Sequence, residues 1–190
     1  MCSSDLFLRQ LKSTLRAGDT LVISGSAPPS LGADIYEEML RVVSEKGVRA
    51  AVDISGKALF GLLSFRPFLV KPNHHELGEL FGVTVRSAED AAFYARKLVC
   101  RGAENVLVSL AGDGAVLVTE SDAYYAAAPK GTVVNSVGAG DSAVAGFLAG
   151  MLSGKGEEYA LSLAVSAGSA TAFSEGIAKA EDVRALQNTF

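Results

Sequence analysis

The chain has 190 residues, a mass of 19.6 kDa and a net charge of −4. This length suits one domain, with a core that buries about two-thirds of the surface that the unfolded chain exposes. Hydrophobic residues make up 49% and charged residues 20%, which excludes a disordered or collagen-like chain. The acidic balance argues against a nucleic-acid binder and against a protein that adheres to anionic membranes.

The chain carries two cysteines, Cys2 and Cys100, and no Cys-x-x-Cys pair. This pattern excludes a disulfide scaffold and a zinc ribbon, and it is typical of a reduced compartment. No hydrophobic signal segment opens the chain. The longest useful uncharged stretch near the C-terminus, Tyr159–Ser174, is too short and too rich in small residues to span a membrane. We therefore expect a cytoplasmic protein without membrane or nucleic-acid partners.

Apolar periodicity predicts helices and buried strands that alternate after a first amphipathic helix over Leu6–Leu15. The predicted strands cover Thr20–Ser24, Val48–Ile54, Phe68–Lys71 and Asn105–Leu110. The predicted helices between them cover Asp34–Lys46, Gly56–Leu63, Asn73–Leu80 and Ser87–Arg101. This alternation is typical of a doubly wound, mostly parallel α/β sheet with helices on both faces. Ligands of such sheets bind at the carboxyl ends of the strands.

The pattern changes in the last third of the chain. Two short strands with a hairpin-like spacing are followed by three helices without further strands. The predicted strands are Ala115–Thr119 and Ala123–Ala128, and the predicted helices are Ser142–Leu152, Glu157–Phe173 and Ala180–Leu186. No linker composition or internal repeat divides the chain, so we expect one domain over 6–190, with 1–5 outside the fold.

The segment Asn135–Ser142 (NSVGAGDS) is the strongest local feature. Gly138, Ala139 and Gly140 carry little or no side chain and stand where a helix is about to begin, so their amides are suited to hold an anion. A carboxylate such as Asp141 in that position suits a general base for phosphoryl transfer. It is equally typical of an ordinary helix N-cap, and the residues of this segment leave both interpretations open.

The same segment also fits G-x-G-x-x-A through Gly138, Gly140 and Ala143. This spacing favours a dinucleotide site only where a helix and then another strand ending in an acidic residue follow. A second helix follows here, which argues against an NAD-dependent dehydrogenase.

Asn73 and Glu76 form an N-x-x-E pattern just after a predicted strand. Two oxygen-bearing side chains at a helix start are suited to a hydrated Mg²⁺. The same spacing is that of a capping box, which the residues alone favour. His74 and His75 lie between them and are expected to point in different directions as surface residues.

Ser109–Gly114 (SLAGDG) follows another predicted strand. A loop of small residues at that place lets the backbone approach a nucleotide, and Asp113-Gly114 is also an ordinary turn signal. The polar strand-end loops that begin at Ser24 and Asp53 are weaker indications of the same site.

Taken together and in order, five motifs resemble those of the ribokinase-like carbohydrate kinases of the phosphofructokinase-B type. They are SGSAPP at Ser24–Pro29, KPNHHE at Lys71–Glu76, SLAGDG at Ser109–Gly114, NSVGAGDS at Asn135–Ser142 and GSATAFSEG at Gly168–Gly176. The resemblance covers nearly the whole chain from about Phe7. The segment DISGKAL at Asp53–Leu59 and the C-terminal motif are most similar to the 1-phosphofructokinase branch of that family.

The resemblance implies ATP-dependent phosphorylation of a sugar phosphate, with fructose 1-phosphate converted to fructose 1,6-bisphosphate and tagatose 6-phosphate as the alternative acceptor. It implies that Asp141 is the base, that the amides of Gly138, Ala139 and Gly140 form the anion hole, and that Asn73 and Glu76 position Mg²⁺. The residues that it assigns to ATP are Ser109, Leu110, Ala111, Gly112, Asp113, Gly114, Lys71, Ser136, Gly140, Ala167 and Ala170.

Nothing in the chain matches the N-terminal portion of that family, which supplies a β-sheet lid and the sugar-binding motif. We therefore expect a C-terminal fragment that lacks the N-terminal strands and the lid. In this family the lid often mediates dimers, so a homodimer is an expected state of the full-length enzyme. A fragment that binds ATP without catalysis is the second hypothesis.

Overall fold

The structure, a computed structural model, describes residues 3–32 and 34–190, apart from the side chains of Ser3 and Pro29. Met1 and Cys2 lie outside the described residues. The helices are α1 (Ser3–Thr14), α2 (Ile35–Lys46), α3 (Ala58–Leu62), α4 (His74–Phe81), α5 (Ala88–Val99), α6 (Ala139–Leu152), α7 (Glu157–Ala172) and α8 (Ala180–Gln187). The strands are β1 (Thr20–Ser24), β2 (Arg49–Asp53), β3 (Leu69–Val70), β4 (Val106–Ser109), β5 (Ala115–Val118) and β6 (Ala123–Ala126).

The six strands form one sheet in chain order, from β1 at one edge to β6 at the other. Strands β1 to β4 are parallel, and β5 and β6 continue the sheet as antiparallel neighbours. The register aligns Ser24 at the end of β1 with Asp53 at the end of β2. Beyond β3, Asn73 forms a bridge to Ser109 at the end of β4. The carboxyl ends of all four parallel strands therefore lie on the same side of the sheet, as predicted. We call this side the carboxyl edge.

Helices cover both faces of the sheet because successive strand residues point to opposite sides. In β4, Val106 and Val108 belong to the core beneath α2, α4 and α5. Leu107 between them belongs to the opposite core, which contains Phe147 of α6 and Leu161 of α7. The continuous apolar runs of the strands follow from this burial on both sides.

Most boundaries lie within one or two residues of the predicted ones, and three elements differ more clearly. Helix α6 begins at Ala139 rather than at Asp141 or Ser142, because Gly138 caps it in the left-handed conformation (φ 81°). Asp141 is therefore not the N-cap and lies in the first turn. The predicted helix over Gly56–Leu63 is the shorter α3 followed by a 3₁₀ turn. Helix α1 includes residues 3–5, whereas the domain limit at residue 6 stays a prediction.

Helices α6 and α7 pack with their backbones in contact. A Cβ on Gly146 of α6 would lie 2.6 Å from the carbonyl oxygen of Leu163, and a Cβ on Gly150 would lie 2.4 Å from the Cα of Ala160. Glycines at both positions let the helices approach without a gap, which fixes where the N-terminus of α6 stands above the sheet. In the described part of the chain, no helix is both long and apolar enough to cross a membrane.

We expect Gly146→Ala to destabilise the fold by about 1–3 kcal/mol, because the new methyl group meets backbone that cannot move alone. The matched control is Gly61→Ala in α3, where the nearest atom is a glutamate oxygen at 3.4 Å. This control should be neutral or slightly stabilising because alanine favours helix. Urea unfolding of both variants measures the difference, and equal stabilities would contradict the close packing of α6 on α7.

Candidate functional site

A buried ion pair stands at the carboxyl edge of the sheet. Lys71 follows β3 and only 7% of its side chain is exposed. Its Nζ lies 3.2 Å from Oδ1 of Asp53 at the end of β2. The sequence indicated Lys71 as a site residue, whereas Asp53 appeared only as part of a polar strand-end loop. Parallel pairing of β2 with β3 brings these two residues together, and that pairing is not visible in either motif.

The surroundings of Asp53 disfavour the ionised form of its carboxyl group. Burial raises the pKa of Asp53 above its ordinary value, and the negative charges of Glu76 and Asp141 act in the same direction. The neighbouring Lys71 lowers the pKa without cancelling the effect of burial. The carboxylates of Glu76 and Asp141 thus oppose the ionisation of Asp53 beside the buried Lys71.

The N-terminus of α6 lies directly above this ion pair. A Cβ on Gly140, in the first turn of α6, would lie 3.3 Å from Nζ of Lys71. Glycine therefore leaves room for the ammonium group beside the helix. The first amides of a helix have no acceptor within it and carry a partial positive charge. The amide of Gly140 and the ammonium of Lys71 thus present two positive groups side by side, an arrangement suited to a polyanion.

The carboxylate of Asp141 is held at the rim of this positive region. The hydroxyl of Ser24 donates a 2.7 Å hydrogen bond to Oδ1 of Asp141, although the two residues are 117 positions apart. Ser24 ends β1 and Asp141 lies in the first turn of α6, so the contact joins the far edge strand to the helix start. Asp141 remains exposed, which leaves its carboxylate accessible to a ligand.

The three amides expected to form the anion hole are not equivalent. The amide of Ala139 donates to the carbonyl of Ser136 at 3.2 Å, so it is already used within the loop. The amide of Gly140, which lies beside Lys71, stays a predicted donor to an anion. The loop before α6 is tied to the end of α7, because the side-chain amide of Asn135 donates to the carbonyl of Glu175 at 3.2 Å.

Asn73 and Glu76 form the capping box that their spacing indicated. Oδ1 of Asn73 accepts from the amide of Glu76 at 2.9 Å, and Oε2 of Glu76 accepts from the amide of Asn73 at 2.8 Å. No group of three or more histidine, cysteine, aspartate or glutamate side chains suited to a metal occurs among the described residues. The oxygen donors of Glu76 and nearby Asp53 fit a hydrated Mg²⁺, which takes one or two carboxylates and completes its shell with water and phosphate.

The two histidines differ from the expectation of separate surface side chains. Their rings lie 3.9 Å apart, centroid to centroid, although they are neighbours on α4. His75 is exposed, whereas Nδ1 of His74 is buried and has no hydrogen-bond partner in the described part of the chain.

A cavity of about 550 Å³ opens between the carboxyl edge of the sheet, α6 and α7. It collects eight of the residues that the sequence assigned to the site. They are Lys71, Ser109, Ala111, Gly112, Gly114, Ser136, Ala139 and Gly140. The loop after β4 reaches the cavity because Gly114 (φ 102°) turns it, and a Cβ there would lie 2.0 Å from the carbonyl oxygen of Ala126.

The other assigned residues lie outside the cavity wall. They are Leu110, Asp113, Ala167, Ala170, Gly138, Asp141, Asn73 and Glu76. Leu110 points into the core. Ala167 is buried against α6, and a Cβ added to Gly146 of α6 would lie 3.0 Å from the Cβ of Ala167. Helix α7 lines the cavity instead through five other residues, of which three belong to the motif Gly168–Gly176: Ala164, Val165, Gly168, Ser169 and Ala172.

We expect Asp53→Asn to change how stability varies with pH. Because the pKa of Asp53 is raised in the folded state, the stability linked to its protonated form is present below its ordinary pKa of 3.8 and is lost as pH rises through the folded pKa. The asparagine variant leaves the buried ammonium of Lys71 without its carboxylate, which lowers stability at every pH, but it escapes that loss, so its stability relative to the wild type should rise as the pH increases above 3.8. Urea unfolding across this range measures the trend.

The control Glu45→Gln should show the opposite trend. A hydrogen bond from Lys12 lowers the pKa of Glu45. The stability that this interaction contributes is therefore lost as the pH falls. Parallel pH profiles for the wild type and Asp53→Asn would contradict the assigned environment of Asp53.

Comparison with known proteins identifies relatives of this chain. A profile of the pfkB family of carbohydrate kinases matches residues 3–183. The chain is 52% identical over 180 residues to 1-phosphofructokinase of Bacillus subtilis, covering 95% of this chain and 59% of that protein. It is 38% identical over 173 residues to D-tagatose-1-phosphate kinase of Bacillus licheniformis, covering 90% of this chain and 56% of that protein.

Among solved structures, phosphofructokinase-2 of Escherichia coli in complex with fructose-6-phosphate matches with a TM-score of 0.88 and 28% identity. The match covers 98% of this chain and 60% of that one. The chain therefore spans less than two-thirds of the length of these relatives. The profile match and the fold together show that the chain belongs to the pfkB family of carbohydrate kinases.

Proposed function

We propose that this chain carries the nucleotide site and the catalytic base of an ATP-dependent sugar-phosphate kinase. The observation that carries the proposal is the placement of Lys71 and Gly140 side by side in the cavity wall, with Asp141 next along the first turn of α6. Two positive groups attract the phosphates of a nucleotide, and a carboxylate beside them is suited to take a proton from the acceptor.

In the proposed reaction, the carboxylate of Asp141 accepts the proton of the acceptor hydroxyl. At the same time, the oxygen of that hydroxyl bonds to the γ-phosphorus of ATP. The bond between that phosphorus and the bridging oxygen breaks, and ADP leaves with the electron pair. Ser24 keeps Asp141 oriented through its 2.7 Å hydrogen bond. The amide of Gly140 and Lys71 stabilise negative charge on the transferred group and the leaving phosphate. When bound at Glu76, Mg²⁺ would neutralise phosphate charge.

We propose a ketohexose 1-phosphate as the acceptor. The Bacillus subtilis relative, 52% identical, is a 1-phosphofructokinase, and the Bacillus licheniformis relative, 38% identical, is a D-tagatose-1-phosphate kinase. Fructose and tagatose differ only in configuration at carbon 4, so the two names share one chemical class. The higher identity favours fructose 1-phosphate, with fructose 1,6-bisphosphate as the product. The cytoplasmic location and the homodimer stay predictions.

The second candidate is a chain that binds MgATP but does not transfer phosphate. It is favoured by the coverage of the relatives, because the chain spans only 59% of the Bacillus subtilis protein. The cavity can hold a nucleotide without supplying the whole acceptor site. The two candidates share the nucleotide site and differ only in turnover.

Calorimetric titration of the chain with MgATP tests both candidates, followed by an ADP-release assay with fructose 1-phosphate and tagatose 1-phosphate. We expect saturable binding that Lys71→Met weakens by about 10- to 150-fold, the loss of a charge-assisted hydrogen bond. Lys155→Met is the control, because Lys155 is exposed in the turn between α6 and α7. Asp141→Asn should keep MgATP binding and lower any turnover by about 10²- to 10⁴-fold.

Sugar-dependent ADP release establishes the kinase, whereas binding without release establishes the second candidate. Absence of binding by a folded chain contradicts both. Turnover that is unchanged in Asp141→Asn removes Asp141 from the role of base.

Glu76→Gln separates the two interpretations of the N-x-x-E pattern. Glutamine still completes a capping box but carries no charge for a cation. If Glu76 holds Mg²⁺, the variant should keep the stability of the wild type and need at least 10-fold more Mg²⁺ for the same ATP affinity. Glu79→Gln on the same helix is the control, since Glu79 is exposed. An unchanged Mg²⁺ requirement for Glu76→Gln would leave Glu76 with a capping role alone.

A further inference from the structure

A buried hydroxyl joins helix α7 to the start of α6. Thr171, in the last turn of α7, is 1% exposed, and its hydroxyl donates a 2.8 Å hydrogen bond to Oγ of Ser142. The same oxygen accepts from the amide of Ala178 at 3.2 Å. A hydroxyl inside a helix can instead donate back to a carbonyl of that helix, as Ser166 does to Ser162 at 2.8 Å. Thr171 therefore connects α7 to two other segments of the chain.

Thr171 contacts both ends of the first turn of α6. Its hydroxyl reaches Ser142, whose amide donates to the carbonyl of Gly138 at 2.9 Å. A Cβ on Gly138 would lie 4.0 Å from Cγ2 of Thr171. Gly140 and Asp141 stand between these two positions. The turn that carries the proposed anion donor and the proposed base is thus held at both ends by one side chain of α7.

The loop that leads into α6 is fixed by the same end of α7. The amides of Val134 and Asn135 both donate to the carbonyl of Ala172, at 2.8 and 3.1 Å. The side-chain amide of Asn135 donates to the carbonyl of Glu175. These bonds use backbone acceptors and hold the loop before the turn. The bond from Thr171 to Ser142 then holds the turn itself.

We propose that Thr171 is a positioning residue for the part of the cavity where Lys71 and Gly140 lie side by side. Acting through Ser142, its hydroxyl keeps the first turn of α6 in the orientation that presents the amide of Gly140 next to the ammonium of Lys71. Such support from outside the ligand contacts raises affinity because the binding groups are already in place. The nature of the ligand rests on the proposed function, whereas the hold on the turn rests on the contacts alone.

Two substitutions of Thr171 separate its hydroxyl from its shape. Thr171→Val removes the hydroxyl and keeps the outline of the side chain, whereas Thr171→Ser keeps the hydroxyl. We expect Thr171→Val to weaken MgATP and Mg-tripolyphosphate by the same factor of about 3 to 10, which corresponds to one hydrogen bond. Thr171→Ser should bind both probes as the wild type does. Calorimetric titration of the whole chain measures these affinities.

Ser166→Ala is the matched control, because it removes another buried hydroxyl from α7. That hydroxyl contacts Gln187 of α8 at 3.1 Å rather than α6. The control should lower the free energy of unfolding in urea, as Thr171→Val does, and leave both affinities unchanged. Equal losses of affinity in the two variants would make Thr171 a stabilising contact only and overturn the inference. Weakening of MgATP alone would also overturn it, since the effect would then lie away from the phosphates.

A variant of α6 tests the contact from the other side. Ser142→Ala should weaken both probes as much as Thr171→Val does, and the double variant should lose no more than either single variant. Additive losses would show that the two hydroxyls act independently, which contradicts the proposed route through Ser142.

Hydrogen exchange of the free chain tests the hold on the turn without a ligand. We expect the peptide that covers residues 134–142 to exchange faster in Thr171→Val than in the wild type or in Ser166→Ala, because its amide bonds open more often. Equal exchange in all three proteins overturns the inference. Failure of the wild type to bind either probe contradicts the proposed function instead, and the exchange result then decides the role of Thr171.

Discussion

Only 7% of the side chain of Lys71 is exposed, and a buried cation of this kind needs a partner such as a carboxylate beside it. Asp53 supplies that carboxylate, because β2 and β3 are parallel neighbours that end at the same edge of the sheet. The N-terminus of α6 adds a second positive group above the pair, and glycine at position 140 is what leaves room for it. The remaining features of the site are arranged around this group of charges.

Most of the fold could be predicted from the sequence, because the alternation of apolar strands with amphipathic helices determines the class of sheet. The loops that carry the site were also predictable, since parallel sheets bind ligands at one edge. The pairs across that edge could not be predicted. Asp53 meets Lys71 and Ser24 meets Asp141 through strand order and helix packing, and neither contact leaves a trace in the local sequence.

Two other differences between the predicted and the observed site have local causes. Helix α6 begins at Ala139 because Gly138 adopts the left-handed conformation, and the amide of Ala139, one of the three expected to hold an anion, donates to the carbonyl of Ser136 instead. Ala167 and Gly168 are adjacent on α7 but have different surroundings, because Ala167 packs against Gly146 of α6, whereas Gly168 lies beside Ala139 at the start of α6 and lines the cavity. The motif located the right turn of the helix, whereas its rotation is set by the contact of α7 with Gly146 and Gly150 of α6.

The hydrogen bond between Ser24 and Asp141 also bears on how the chain acquires its site. During synthesis, Ser24 emerges 117 residues before the aspartate that completes the contact, and α6, which carries that aspartate, packs against α7 in the folded chain. The site therefore cannot exist in a partly folded intermediate that lacks these two helices. A ligand that binds there recognises only the completed fold, so its binding energy adds to the stability of the whole chain rather than to one segment. Occupancy of the cavity would thus lower the population of open states along the sheet from its first strand to its last helices.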